Sequence, residues 1–150
     1  MYTIRKQFKF EMAHQLHNAF STACSKQIHG HSYICEVFFS SDKLDETEMV
    51  IDFGKVKALI NDYINSWDHC LVMPNTMPEE YLTCLAKFNE NLKIVSYNPT
   101  AERMSRDMYE YITVILTNEG LLKSITNPNG MYLEKVRLHE TTTGWAEYAV

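Results

Sequence analysis

Three histidines stand at positions from which two strands could bring their imidazoles together. His29 and His31 are two residues apart, so their side chains point the same way in a strand, and Gly30 leaves room between them. His14 closes an alternating apolar run, and antiparallel pairing would place it opposite the other two. Three imidazoles without a fourth protein ligand are typical of a catalytic zinc site, whose open position takes water or substrate. The spacing alone also fits a chance His-Gly-His loop with a buried core histidine, and imidazole suits copper, iron and nickel as well.

Two further groups could move protons near such a metal. Cys24 lies just before His29, and a nearby cation lowers the pKa of a thiol, which makes the thiolate a usable base or nucleophile. Asp68 and His69 are adjacent, and an aspartate beside a histidine can orient a general base or relay a proton. The structural alternatives are a small buried cysteine and a histidine that complements the dipole at a helix end.

Glu140 follows a strand of largely apolar residues and could bind a substrate ring. A carboxylate at that position can accept two parallel N–H bonds from a planar, guanidine-like ring edge. The alternative is a solvated glutamate at the end of a strand. Taken singly, none of these candidate groups outweighs its structural alternative.

Apolar patterns predict the elements that would position these residues. Period-two alternation predicts a strand on either side of a polar loop, and the second strand starts near His29. Helical spacing follows Asp52 and Thr100, each a plausible N-cap, and the segment 74–96 between the two helices is irregular. Two short strands close the chain. Because no βαβ alternation appears, we predict one α+β domain over residues 1–150, with a four-stranded antiparallel sheet and two helices on one face.

The composition excludes several classes of protein. The chain has 150 residues, a net charge of −5 and scattered Lys and Arg, which argues against a nucleic-acid-binding face. No apolar run approaches the ~20 residues of a membrane span, and the N-terminal residues alternate rather than form the apolar block of a signal peptide. The four cysteines contain no CxxC pair and fit reduced thiols. We therefore expect a cytoplasmic protein with no membrane or nucleic-acid partner.

Six short segments, in order along the chain, resemble one enzyme family. They are FEMAH with His14, Cys24 followed by HGH at 29–31, MVIDFGKVK at 49–57, WDH at 67–69, NPTAE at 98–102 and VRLHETTTGWAEY at 136–148. HGH alone is a weak signal, whereas six ordered segments are specific. With them the sequence resembles the 6-pyruvoyl-tetrahydropterin synthase and 6-carboxytetrahydropterin synthase family. The last two segments are closer to the carboxy branch, which acts in queuosine biosynthesis.

The resemblance implies a tunnel fold, in which subunits assemble into a barrel, commonly a homohexamer of two trimers, with active sites between subunits. The resemblance implies that Zn²⁺ is held by His14, His29 and His31. Cys24 would move protons, together with Asp68 and His69 from a neighbouring chain. Glu140, with Thr100 and Glu102, would bind the pterin substrate. Glu140 would anchor the pterin through its 2-amino and N3–H groups.

The implied substrate is 7,8-dihydroneopterin triphosphate. In the carboxy branch its side chain is cleaved, which gives 6-carboxy-5,6,7,8-tetrahydropterin, acetaldehyde and triphosphate. Two departures from the family pattern keep alternatives open. Four residues separate Cys24 from His29, one more than in typical carboxy enzymes and one fewer than in animal pyruvoyl enzymes. Cys70 follows His69 where the family usually has leucine, which makes Cys70 a second candidate for the working thiol.

Three functions therefore stay open. The first is the carboxytetrahydropterin reaction, and the second keeps the same site but forms the pyruvoyl product or cleaves a non-phosphorylated neopterin. The third belongs to another class, a non-catalytic scaffold that binds zinc or a pterin. Retention of both the candidate proton-transfer residues and Glu140 favours an enzyme over a scaffold.

Overall fold

One mixed β-sheet with helices packed against it forms the protein, which a computed structural model describes over residues 1–150. The elements in chain order are β1 (Tyr2–His14), α1 (Thr22–Ser25), β2 (His29–Ser41), α2 (Phe53–Asn65), β3 (Cys70–Pro74), α3 (Glu79–Phe88), β4 (Leu92–Val95), α4 (Ala101–Asn118), β5 (Tyr132–His139) and β6 (Trp145–Ala149). The strands lie in the order β4-β3-β1-β2-β5-β6.

The four strands predicted from the sequence form the antiparallel part of this sheet. β1 and β2 pair along all 13 residues of each strand, which places His14 opposite His29 and Met12 opposite His31. β5 pairs with β2, and β6 pairs with β5, both in the antiparallel sense. The predicted α+β class is confirmed, and α2 and α4 are the two predicted helices.

The sheet has six strands rather than the predicted four, because the segment predicted to be irregular contains α3 and β4, and β3 lies just before it. β3 pairs in parallel with both β1 and β4. All five residues of β3 are buried, and a strand buried on both faces lacks the alternation that reveals a half-buried strand. Period-two alternation therefore does not reveal β3.

The two long helices, α2 and α4, begin at the predicted N-caps, and each buries its apolar face. The side chain of Asp52 accepts hydrogen bonds from backbone N–H groups in the first turn of α2, and Thr100 does the same for α4. The buried apolar residues of these helices are Val56, Ile60, Ile64, Met104, Met108, Ile112 and Leu116. None of the four helices combines the length and the hydropathy that crossing a membrane would need.

Several chain ends meet at one end of the antiparallel strands. β1 ends at His14 where β2 begins at His29, and β5 ends beside β2 just before Glu140. The segment that leads into α4 lies against the same place, since the Pro99 carbonyl contacts the His14 ring. The fold thus gathers residues that are far apart in the sequence into one site.

Candidate active site

Three histidine side chains converge at the end of the β1–β2 pair. The Nε2 atoms of His14 and His29 are 3.1 Å apart. One ligand nitrogen from each of His14, His29 and His31 lies within 4.8 Å of the other two. This is the convergence that the alternation predicts. Three imidazole nitrogens at this spacing fit a tetrahedral metal ion with one position left for water or substrate.

His14 is fully buried, and a contact fixes its tautomer. Its Nδ1 lies 2.8 Å from the Pro99 carbonyl oxygen. A carbonyl only accepts hydrogen bonds, so Nδ1 carries the proton and Nε2 presents a lone pair to the cluster. Burial lowers the pKa of His14 and also that of His31. Both imidazoles are therefore neutral at pH 7, which is the state that binds a metal.

Glu140 and Tyr33 add a carboxylate and a phenol to the cluster. Glu140 Oε1 lies 3.5 Å from His14 Nε2 and 3.9 Å from His31 Nε2. The Tyr33 hydroxyl donates to the same oxygen at 3.2 Å. Burial, and then the charge of Glu140, raise the pKa of Tyr33, so the phenol stays a neutral donor. Tyr33 is not among the predicted site residues, although its position two residues after His31 puts it on the same strand face.

Cys24 lies in α1, the short helix between β1 and β2. Its backbone carbonyl accepts a hydrogen bond from the Leu16 N–H at 2.9 Å, which ties the loop back to the end of β1. The residue is partly exposed. The structure therefore places Cys24 in a loop that is held against the end of β1, where the histidine cluster lies.

Asp68 and His69 form a hydrogen-bonded pair on the other side of β1. His69 Nδ1 lies 2.9 Å from Asp68 Oδ2. The backbone of Glu11 holds the pair, since its N–H donates to Asp68 Oδ1 at 2.7 Å and its carbonyl accepts from the His69 N–H at 2.7 Å. The Glu11 hydrogen bond, and then His69, lower the pKa of Asp68. The His69 side chain is 80% exposed, so its second nitrogen is open to solvent or to another molecule.

An open cavity of about 530 Å³ lies beside the Asp68–His69 pair, along the ends of β1 and β2, and its lining does not include His14, His29 or Glu140. His31 and His69 both line it, together with Glu11, Ser32 and Leu85. Its volume lies in the range of ~300–1,000 Å³ that is typical of small-molecule sites. Leu85 belongs to α3, so the segment that was predicted to be irregular forms part of the cavity wall.

The other predicted residues make no hydrogen bond to the histidine cluster. Cys70 is buried in β3, and burial raises its pKa, which favours a packing role over that of a base. The Thr100 hydroxyl accepts a hydrogen bond from the Arg103 N–H at 3.3 Å and so caps α4. Glu102 is exposed in the first turn of that helix. Substrate binding by Thr100 and Glu102 stays a prediction.

Comparisons with known sequences identify relatives across nearly the whole chain. A family model described as 6-pyruvoyl tetrahydropterin synthase matches residues 3–150. A Helicobacter pylori (strain J99) protein named 6-carboxy-5,6,7,8-tetrahydropterin synthase is 32% identical over 150 residues, which cover 96% of this chain and 70% of the relative. A protein of the same name from Aquifex aeolicus is 35% identical over 125 residues, which cover 81% of this chain and 73% of the relative.

Solved structures share the fold. The 6-pyruvoyl tetrahydropterin synthase of Caenorhabditis elegans superposes with a TM-score of 0.66 and 22% identity, over 99% of this chain and 95% of that one. The enzyme of the same name from Plasmodium vivax superposes with a TM-score of 0.68 and 13% identity, over all of both chains. These likenesses confirm the predicted tunnel fold.

Proposed function

The chain belongs to the 6-pyruvoyl tetrahydropterin synthase family, and we propose that it is a zinc-dependent lyase that cleaves the side chain of 7,8-dihydroneopterin triphosphate. The products would be 6-carboxy-5,6,7,8-tetrahydropterin, acetaldehyde and triphosphate, in queuosine biosynthesis. The names of the bacterial relatives support this product. The observation that carries the proposal is the convergence of three imidazole nitrogens within 4.8 Å, with the Glu140 carboxylate 3.5 Å from one of them.

His14, His29 and His31 would hold the zinc ion. The donor set supports this assignment, because three imidazoles with an open fourth position are typical of catalytic zinc. The Pro99 carbonyl supports it as well, since metal-binding histidines usually donate their other ring N–H to such an acceptor. When bound there, zinc would supply Lewis-acid activation of the side-chain hydroxyls of the substrate and of the neighbouring C–H bonds.

Glu140 would hold the pterin ring. Its side chain is 31% exposed, so a ligand can reach it from solvent. An ionised carboxylate accepts two parallel hydrogen bonds, which matches the 2-amino and N3–H groups on one edge of a pterin. A pterin ring bound at Glu140 would lie next to the three histidines, and the side chain of the pterin would be within reach of them.

Cys24 would act as the base, and the Asp68–His69 pair would act on a substrate held by a neighbouring copy of the chain. The place of Cys24 supports this role, because its loop is tied to the chain just after His14, at the end of β1. The pair supports a role in a second copy because it is exposed and lies on the opposite side of β1 from the histidine cluster.

Open strand edges support assembly into a homo-oligomer, for which we propose a hexamer of two trimers. β3 pairs with β1 only from Met12 to His14, which leaves the rest of that edge of β1 unpaired. β6 forms the far edge of the sheet and pairs only with β5. Proteins usually cover such edges, and closure between copies would pair both.

A 6-pyruvoyl product is the second candidate. The observation that favours it is the spacing of four residues between Cys24 and His29, which is intermediate between the two branches. A thiol displaced by one residue could abstract a different proton, and the choice of proton decides whether the side chain is cleaved or only loses triphosphate.

Mass spectrometry of the products tests both candidates. Zinc-loaded protein is incubated with 7,8-dihydroneopterin triphosphate, with His29→Ala as the control that lacks a metal ligand. We expect 6-carboxytetrahydropterin and acetaldehyde from the unchanged protein and neither from the variant. A 6-pyruvoyl product would select the second candidate. No turnover by zinc-loaded, assembled protein would contradict a lyase and favour a binding scaffold.

A further inference from the structure

Tyr33 is held rigidly beside the histidine cluster. The residue is 1% exposed, and its ring stacks on Phe10 with the ring centroids 5.3 Å apart and the planes 9° from parallel. The rings of His14 and His31 stand edge-on to it, at centroid distances of 6.1 and 5.6 Å. Because packing fixes the ring, it also fixes the position of the hydroxyl oxygen.

The Tyr33 hydroxyl has one proton and two acceptors within reach. Glu140 Oε1 lies at 3.2 Å and His14 Nε2 at 3.4 Å. His14 Nε2 is an acceptor, since the ring proton is on the Nδ1 that faces Pro99. A charged acceptor forms the stronger hydrogen bond, so the phenol donates to Glu140.

Glu140 has little else to hold its carboxylate in place. It follows the end of β5, and its backbone N–H donates to the Gly144 carbonyl in the turn to β6. The Tyr33 hydroxyl is the only hydrogen-bond donor to its side chain. Without the phenol, the carboxylate could rotate at the mouth of the cluster.

We propose that Tyr33 is a positioning residue, which fixes the Glu140 carboxylate beside the three histidines so that its free lone pairs meet the N–H edge of a pterin. The inference rests on the proposed function for the identity of the ligand at Glu140. Tyr33 itself touches neither substrate nor reacting atoms and acts through Glu140.

Tyr33→Phe tests the proposal, because phenylalanine keeps the ring and its stack on Phe10 and removes only the donor. The probe is neopterin, whose fluorescence reports binding to the zinc-loaded protein. We expect its Kd, and the KM for 7,8-dihydroneopterin triphosphate, to rise about tenfold, which is typical for losing a hydrogen bond to a charged group. We expect kcat and the zinc content to stay nearly unchanged.

Tyr109→Phe is the matched control, since it removes a phenol that donates to the Leu133 carbonyl at 3.0 Å, a backbone group outside the site. It should leave neopterin binding unchanged. Glu140→Gln and the double variant Tyr33→Phe/Glu140→Gln complete the test. If Tyr33 acts through Glu140, the double variant binds neopterin no more weakly than Glu140→Gln alone.

Two of the outcomes overturn this inference and leave the proposed function standing, and a third overturns both. Weakened binding in Glu140→Gln with normal binding in Tyr33→Phe would overturn the role of Tyr33 and leave the proposed function standing. Additive losses in the double variant would also overturn it, because Tyr33 would then act independently of Glu140. Unchanged binding in Glu140→Gln would overturn both, since the carboxylate would then not hold the pterin.

Discussion

The histidine cluster and the Asp68–His69 pair lie on opposite sides of β1, and they are built differently. His14 is fully buried, and contacts within the chain fix its ring. His69 is 80% exposed, and its fixed contacts are Asp68 and the backbone of Glu11. One chain therefore completes the histidine cluster by itself, whereas the Asp68–His69 pair is exposed and another molecule can approach it.

The backbone shows the same difference. The histidines of the cluster lie at the ends of regular strands, but His69 has a φ of +55°, in the left-handed region. A residue with a Cβ pays about 1–2 kcal/mol for that conformation. The hydrogen bond from the His69 N–H to the Glu11 carbonyl holds it there, and the Glu11 N–H holds the neighbouring Asp68 side chain. Strain of this kind is frequent at functional sites, which supports a role for the pair.

Loss of a cluster histidine should have the largest effect. His29→Ala or His31→Ala removes one of three metal ligands, and we expect zinc affinity to fall by more than about 100-fold, since even outer partners of a ligand are worth 10–100-fold. Turnover should be lost with the metal. Elemental analysis after dialysis measures the zinc content. His17→Ala is the control, because His17 contacts Thr76 outside the cluster; full zinc retention in both ligand variants would show that the cluster is not the metal site.

The two candidate thiols should differ by orders of magnitude in their effect on rate. Cys24→Ala should lower turnover by ~10²–10⁴-fold, the usual contribution of a general acid or base, while zinc and pterin still bind. Cys70→Ala should leave turnover nearly unchanged, because that thiol is buried in the core. Steady-state turnover of the two variants on 7,8-dihydroneopterin triphosphate decides between them. The reverse result would move the working thiol to the segment beside His69.

A mixture of two inactive variants tests whether the pair serves a neighbouring chain. Cys24→Ala and Asp68→Asn should each be inactive alone. If each site uses Cys24 from one copy and Asp68 from another, random reassembly of equal amounts restores about a quarter of the sites. Activity is measured after the mixture is dissociated and reassembled. No recovery in mixed oligomers would contradict a pair that acts between subunits.

The sequence predicted the parts of the site that depend on local geometry. The two-residue spacing of His29 and His31 is enough to put both rings on one face of a strand, and the structure has them there. Their meeting with His14 follows from pairing two adjacent strands. The N-caps Asp52 and Thr100 are local signals too, and both are confirmed.

Contacts that depend on tertiary packing could not be read in the same way. The approach of Glu140 to His14 joins residues 126 positions apart, and no periodicity reports such a distance. The hydrogen bond of Tyr33 to Glu140 depends on that same approach. Alternation along the sequence does not reveal β3, because its residues are buried on both faces. The part of the cavity wall that α3 supplies through Leu85 is not predicted either.

Glu36, like His14, is a buried group whose partners all belong to the same chain. Burial acts to raise its pKa, but the hydrogen bond from His139 and the charges of Arg5 and Arg137 outweigh burial, so the pKa lies below its usual value. Such a carboxylate stabilises the fold above the unfolded pKa of about 4.3, and this contribution is lost as the pH falls through the folded pKa. Glu36→Gln should therefore lower the free energy of unfolding by about 2 kcal/mol at pH 7, as is typical for losing hydrogen bonds to a charged group.

Urea unfolding at pH 7 and at lower pH measures this effect. The difference between Glu36→Gln and the unchanged protein should narrow as the pH falls below about 4.3. Glu147→Gln is the control, since Glu147 is 29% exposed in its ion pairs with Lys135 and Arg137, and exposed pairs are worth less than about 1 kcal/mol. A difference that stays constant with pH would show that the Glu36 charge does not stabilise the fold.

His69→Gly should raise the stability of the fold and abolish activity, because it relieves the backbone strain at this position and removes the imidazole. Glycine adopts a φ of +55° without the Cβ penalty, so we expect the free energy of unfolding to rise by about 1 kcal/mol. Activity should be lost with the imidazole. His69→Ala is the matched control, because it removes the same ring but keeps the Cβ, and it should be inactive without being stabilised. Thermal or urea unfolding of the two variants gives the difference; a glycine variant no more stable than the alanine variant would show that the backbone at His69 stores no strain.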